Sequence, residues 1–82
     1  MQKETIINDI RNYFDNDVGV DVSNLGLDDK ILGELVDSIE VVKLVMFIEQ
    51  HFNLKLPPFK VNIEQFATLQ QMSDVIVEAT NS

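Results

Sequence analysis

Residues 35–52 read LVDSIEVVKLVMFIEQHF, an apolar run headed by an acid and a serine. Asp37 can accept a hydrogen bond from a free N–H of the first helical turn, and Glu40, three positions on, completes a capping box. Val36 and Val41 stand at the positions of a hydrophobic staple, so four start signals coincide. The pattern predicts a helix over 38–52, ended by Asn53, which tolerates a left-handed turn, and by Pro57-Pro58. On a wheel of about 100° per residue, Leu44, Val45, Ile48 and Phe52 fall within about 60° of Val41 and form a core stripe. Ile39 and Met46 point elsewhere, beside Lys43, with Phe47 beyond them. The helix is therefore apolar on more sides than a core requires. Either the preceding loop or the third helix covers these three, or they form a partner-binding patch beside Ser38.

Outward from this helix, Ile6, Ile7, Ile10, Tyr13 and Phe14 share one helical face, predicting a first helix over about 3–15. Residues 16–36 are rich in glycine, aspartate and asparagine and keep no helical period, although Val18, Val20 and Val22 alternate as in a strand. A strand without a partner reads as loop. So long a loop in a small domain implies function or buried anchors, here Leu25, Leu27, Ile31 and Leu32. Asn62 with Gln65, then Thr68 with Gln71, repeat the cap spacing, predicting a short third helix over 63–66 and a fourth over 69–79 that buries Leu69, Met72, Val75 and Ile76. The expectation is an all-α, four-helix bundle forming one domain over 1–82, with a long loop between helices 1 and 2 and a short helix 3.

Eighty-two residues without cysteine must be held by packing alone, and a 45% hydrophobic share suffices for that. The absence of cysteine suits a reducing cytoplasm. The first residues, MQKETIINDIRNYF, lack both a basic head and a continuous apolar run, and no window is long enough for a membrane span, so the chain reads as mature and soluble. Fourteen acids against six bases leave a formal charge of −8, which disfavours nucleic acid and anionic lipid and favours partners with basic surfaces.

The aspartates of DNDVGVDVSNLG invite a calcium reading, but an EF-hand loop starting at Asp15 fails where it meets Gly19, Val20 and Gly26. We expect no metal site. Ser38 is not a hydrolase nucleophile either. The one histidine, His51, lies thirteen residues further along the same helix, about 20 Å away, and no G-x-S-x-G elbow is present. His51 reads as a solvated residue of the last turn, suited to the helix dipole. Ser38, by contrast, sits where free N–H groups and the positive end of the dipole favour a phosphate. Long loop, Asp-Ser-Ile, helix, extra apolar seam, acidic domain and no catalytic machinery occur together.

In that combination the chain resembles the acyl carrier protein family, whose attachment motif is Asp-Ser-Leu at the start of the second of four helices. The resemblance covers the whole chain and is closest at Asp37, Ser38, Val42, Leu44, Val45, Met46, Glu49 and Phe52. It implies that Ser38 carries covalent 4'-phosphopantetheine, with Asp37 as motif residue and helix cap. It also implies that the arm's thiol holds an acyl or aminoacyl thioester in fatty acid, polyketide or nonribosomal peptide biosynthesis, and that the chain is a carrier and not an enzyme. The partners it implies are a phosphopantetheinyl transferase, a loading ligase or acyltransferase, and downstream condensing or transferase enzymes, met by a cytoplasmic monomer. Ile39, Glu40 and Met46 match contact positions of the family, and with Lys43 and Phe47 they make the expected partner surface. Ile39 replaces the usual Leu, and Lys43 stands where fatty-acid carriers usually have Glu. The segment LPPFKVNIEQFATLQQM is closer to D-alanyl and other aminoacyl carriers, which points to a dedicated pathway. An apolar space between the second and third helices, lined by Ile48, Phe52, Leu54, Phe59 and Phe66, would suit a long acyl chain. The alternative reading is an unmodified helical adaptor docking through Ile39, Met46 and Phe47.

Overall fold

The computed structural model describes residues 2–56 and 63–81. Three α-helices, α1 (Lys3–Tyr13), α2 (Ser38–His51) and α3 (Leu69–Asn81), are accompanied by a π-helical turn at Phe14–Val18 and a 3-10 helix at Ile63–Phe66. Extended structure among the described residues is limited to an isolated bridge between Leu32 and Val36. Each helix contributes one apolar stripe to a single core: Ile6 and Ile10 with Phe14 from the first, Val41, Leu44 and Ile48 from the second, Leu69, Met72 and Ile76 from the third. Phe66 fills the space beside them and is fully buried. Such side chains each contribute about 1.5–3 kcal/mol of gross burial energy.

The helix edges differ from expectation in instructive ways. α1 stops being α-helical at Tyr13, and one wider turn carries the chain to Gly19, whose N–H donates to the Phe14 carbonyl at 2.8 Å. Gly19 takes a left-handed φ of 81°, which only glycine adopts without cost, and the connection to α2 begins there instead of at residue 16. The short third helix is a single 3-10 turn. The last helix runs on to Asn81. At the end of α2, Asn53 has φ 53°, and Leu54 N–H donates back to the Glu49 carbonyl at 3.1 Å. That is the six-residue closure of a Schellman motif. The Glu49 carboxylate adds a hydrogen bond from Leu56 N–H at 3.0 Å. Pro57-Pro58, Phe59 and the Asn62 cap lie outside the described residues. Thr68 caps α3 as expected, its hydroxyl accepting from Gln71 N–H at 3.1 Å.

The connection from Gly19 to Asp37 is irregular yet fixed. Arg11 reaches across from α1 and donates to the carbonyls of Val22 and Leu25, the latter at 2.9 Å. From the other side, the Ala67 carbonyl accepts from Ile31 N–H at 2.7 Å, and Leu27 accepts from Gln70 N–H at 3.0 Å. Val22, Ile31 and Val36 are the buried anchors, whereas Leu25 and Leu32 are half-buried and Leu27, expected inside, is exposed. Asp21 accepts from both the N–H and the hydroxyl of Ser23, which holds its carboxyl below the usual range. Asp29 accepts from Gly26 N–H at 2.8 Å, so these two acids shape turns. Gly33 (φ 86°) then turns the chain so that Val36 can bond back to Ile31 and enter α2.

Arg11→Ala removes charge-assisted bonds to two loop carbonyls and should lower stability by about 1.5–3 kcal/mol, read from urea unfolding. An unchanged midpoint would mean that the loop is held without Arg11. Asp37→Ala should cost about 1 kcal/mol and speed amide exchange at Glu40, whose N–H loses its acceptor.

Candidate functional site

Asp37 ends the loop in an extended conformation, φ −95° and ψ −179°, and its Oδ1 accepts from Glu40 N–H at 3.0 Å. The Glu40 carboxylate does not return the bond; it lies 3.7 Å from Lys43 Nζ. The expected capping box is therefore half made, while the staple pair Val36 and Val41 is buried in the shared core. The cap leaves Ser38 as the first residue of α2, exposed, with no hydrogen-bond partner for its hydroxyl among the described residues. The N–H groups of Ser38 and Ile39 precede the first intrahelical bond, which runs from Val41 N–H to the Asp37 carbonyl at 3.2 Å. An anion esterified to Ser38 would thus meet free donors and the positive end of the α2 dipole, favourable by about 0.3–1 kcal/mol. The site fits a phosphodiester without rearrangement of the core.

Beyond Ser38, α2 presents Ile39, Val42 and Met46, which are 65%, 50% and 56% exposed. Their spacing of three and four residues puts them on one face. Leu35, in the turn just before the cap, is 42% exposed. Val42 was missed as a surface residue, although its angle on the wheel, about 100° from Val41, sets it with Ile39 and Met46. No comparable pattern marks Leu35, since an apolar residue in a non-repeating turn carries no period.

Phe47 requires a correction. Instead of lying in a free patch, its ring stacks on Tyr13 of α1 at 4.3 Å and on His51 at 4.9 Å, and it is half-buried. Phe52 meets His51 edge-on at 4.9 Å. His51 is exposed in the last turn as expected, and its Nε2 also lies 3.0 Å from Asp9 Oδ2, which ties the end of α2 to α1. The Tyr13 phenol is pushed above its ordinary pKa by burial first, then by the Glu40 and Asp17 carboxylates. Glu40 stands seven residues, two turns, before Phe47 and so on the same side of α2, the side turned towards α1. Ser38 and His51 occupy opposite ends of the helix, so no general base stands beside the serine. Of the residues expected to line an apolar space, Ile48 and Phe66 are fully buried and Phe52 and Leu54 are half-buried.

The family described as "Phosphopantetheine attachment site" matches residues 8–76, a span that includes the capped serine and all of α2. Among curated proteins, an acyl carrier protein of Guillardia theta is 34% identical over 77 residues, covering 93% of this chain and 93% of its own length. An acyl carrier protein of Cyanidioschyzon merolae (strain NIES-3377 / 10D) is 29% identical over 83 residues, covering 100% of this chain and 89% of its own. No described helix is long and apolar enough to cross a membrane. On the match over 8–76 and the nearly full-length likeness to the Guillardia theta protein, this chain belongs to the acyl carrier protein family, whose cofactor is 4'-phosphopantetheine and whose members carry substrates instead of transforming them.

Proposed function

We propose that this chain is an acyl carrier that bears 4'-phosphopantetheine on Ser38 and presents the attached thioester to partner enzymes. The observation that carries this reading is the exposed, unpartnered Ser38 hydroxyl at the Asp37-capped start of α2, inside the matched span. When attached, the group supplies a terminal thiol on which an acyl chain is held. The chain's own part is to keep the serine outward, to hold the first turn of α2 through Asp37, and to offer the surface beside it. The 3-10 turn at Ile63–Phe66 takes the place of the short third helix of a four-helix carrier fold. The partners are a phosphopantetheinyl transferase drawing on coenzyme A, a ligase or acyltransferase that loads the thiol, and the condensing or transferase enzymes that follow, all meeting a single-domain monomer in the cytoplasm. The names of both relatives support an acyl cargo, and Lys43 on α2 supports a dedicated pathway over bulk fatty-acid synthesis.

Incubation with a phosphopantetheinyl transferase and coenzyme A should add one phosphopantetheine to the wild type, seen by intact mass, and none to Ser38→Ala. A bare wild type, or equal gain in the variant, refutes the assignment. Because Ser38 is exposed, the variant should keep the helical circular dichroism of the parent. Loading the thiol with a long acyl chain should shift the backbone amides of Ile48, Leu54 and Phe66, since hydrocarbon leaves water for the core, while a small charged amino acid should not. Shifts confined to the neighbourhood of Ser38 for both cargoes would show that neither enters.

A further inference from the structure

The chain has no cysteine, so its sulfur rests in three methionines, and the surroundings of these differ sharply. Met1 lies outside the described residues. Met72 is fully buried, one of the side chains that α3 gives to the core. Met46, on α2, is 56% exposed. Its neighbours one turn away, Val42, Lys43 and Gln50, are exposed as well, and Glu49 is turned back to accept from Leu56 N–H, so the surface around the thioether is open. Met46 follows Ser38 by eight residues on the same helix, a rise of about 12 Å. An enzyme that covers Ser38 with an ordinary contact patch of about 800 Å², a disc about 16 Å in radius, therefore reaches the thioether.

Resting on the Ser38 assignment for its effect, we propose that Met46 is a reversible oxidation site, which a hydroperoxide converts to the sulfoxide and which in that form slows the modification of Ser38. A lone pair of the thioether sulfur attacks one peroxide oxygen, the O–O bond breaks as the S–O bond forms, and the departing hydroxide takes up a proton and leaves as water. Sulfur loses two electrons and the peroxide gains them. The product replaces a flexible apolar end with a polar, chiral one. At so exposed a position water solvates the new oxygen, and the fold is kept. The face that Met46 shares with Ile39 and Val42 is apolar, so an enzyme closed over it strips that oxygen of water without supplying a donor. Methionine sulfoxide reductases reverse the change, each acting on one epimer. Met72 has no such role, since its sulfur meets a peroxide only when the core opens.

The test treats the full chain, before any modification of Ser38, with hydrogen peroxide, destroys the excess with catalase and locates the added oxygen by peptide mass. Transfer from coenzyme A by the phosphopantetheinyl transferase of the same genome is then followed by intact mass. In the folded chain Met46 should gain oxygen at least about tenfold faster than Met72, and in urea the two should react at similar rates. Oxidation should lower kcat/KM for transfer at least about fivefold, and treatment with both sulfoxide reductases should restore it. Met46→Leu, which keeps an apolar side chain of similar volume without the sulfur, should show the same kcat/KM before and after peroxide. The proposal is overturned if Met72 oxidises as fast as Met46 in the folded chain, if the oxidised wild type is modified at the unoxidised rate, or if Met46→Leu loses as much rate as the wild type. Loss of helical circular dichroism on oxidation also overturns it, because the effect would then be unfolding. Failure of the underlying assignment looks different: the unoxidised wild type stays bare, while the peptide map still assigns the oxygen to Met46.

Discussion

Immobilising the connection between α1 and α2 is the constraint on which the rest of the molecule depends. Ordering backbone costs about 1–2 kcal/mol per residue, and the segment from Gly19 to Asp37 has no repeating ladder of hydrogen bonds to offset it. The fold meets that cost from both sides. Arg11 gathers two carbonyls from the α1 side, and Ala67 and Gln70 hold Ile31 and Leu27 from the α3 side. Val22, Ile31 and Val36 are driven into the core between these points. The consequence reaches the site directly, because the chain leaves the buried Val36 in an extended path that aims the Asp37 carboxylate at the first turn of α2 and leaves the next side chain outward.

α2 is the element in which stability and recognition are separated by angle. One side supplies Val41, Leu44 and Ile48 to the core. A second side, through Phe47 and His51, is covered by Tyr13 and Asp9 of α1. Only the third remains open, and it is there that the apolar residues without a packing role are found. The polar groups of the helix follow the same division: those near the ends are engaged in caps and closures, which stabilise the helix.

Much of this was legible in the residues. The start of α2 could be placed because Asp37, Glu40, Val36 and Val41 signal it by independent mechanisms, and its end because Asn53 is among the few residues that accept a left-handed turn. The core stripes of α1 and α3 followed from period alone, with Ser73 an addition: it is fully buried, its hydroxyl donating to the Gln70 carbonyl at 2.9 Å. What could not be read was long-range. The clamp of Arg11 on Val22 and the facing of Phe47 on Tyr13 join residues whose separation in sequence leaves no local period. The surface role of Val42 was accessible from its angle, yet adjacent valines look alike until one of them is seen to face the core. The exposure of Leu27 was hidden for a related reason, since in an irregular loop hydrophobicity indicates that something is buried but not which residue.

The ring stack at the α1–α2 seam also has an optical consequence. Tyr13 is the sole tyrosine and the chain has no tryptophan, so ultraviolet emission from the folded protein originates chiefly from one phenol. That phenol stacks on Phe47 and meets Phe14 edge-on, and the carboxylates of Glu40 and Asp17 act on it. The protein thus contains an intrinsic fluorophore at the joint between its first two helices, able to report a change in their spacing without an added dye.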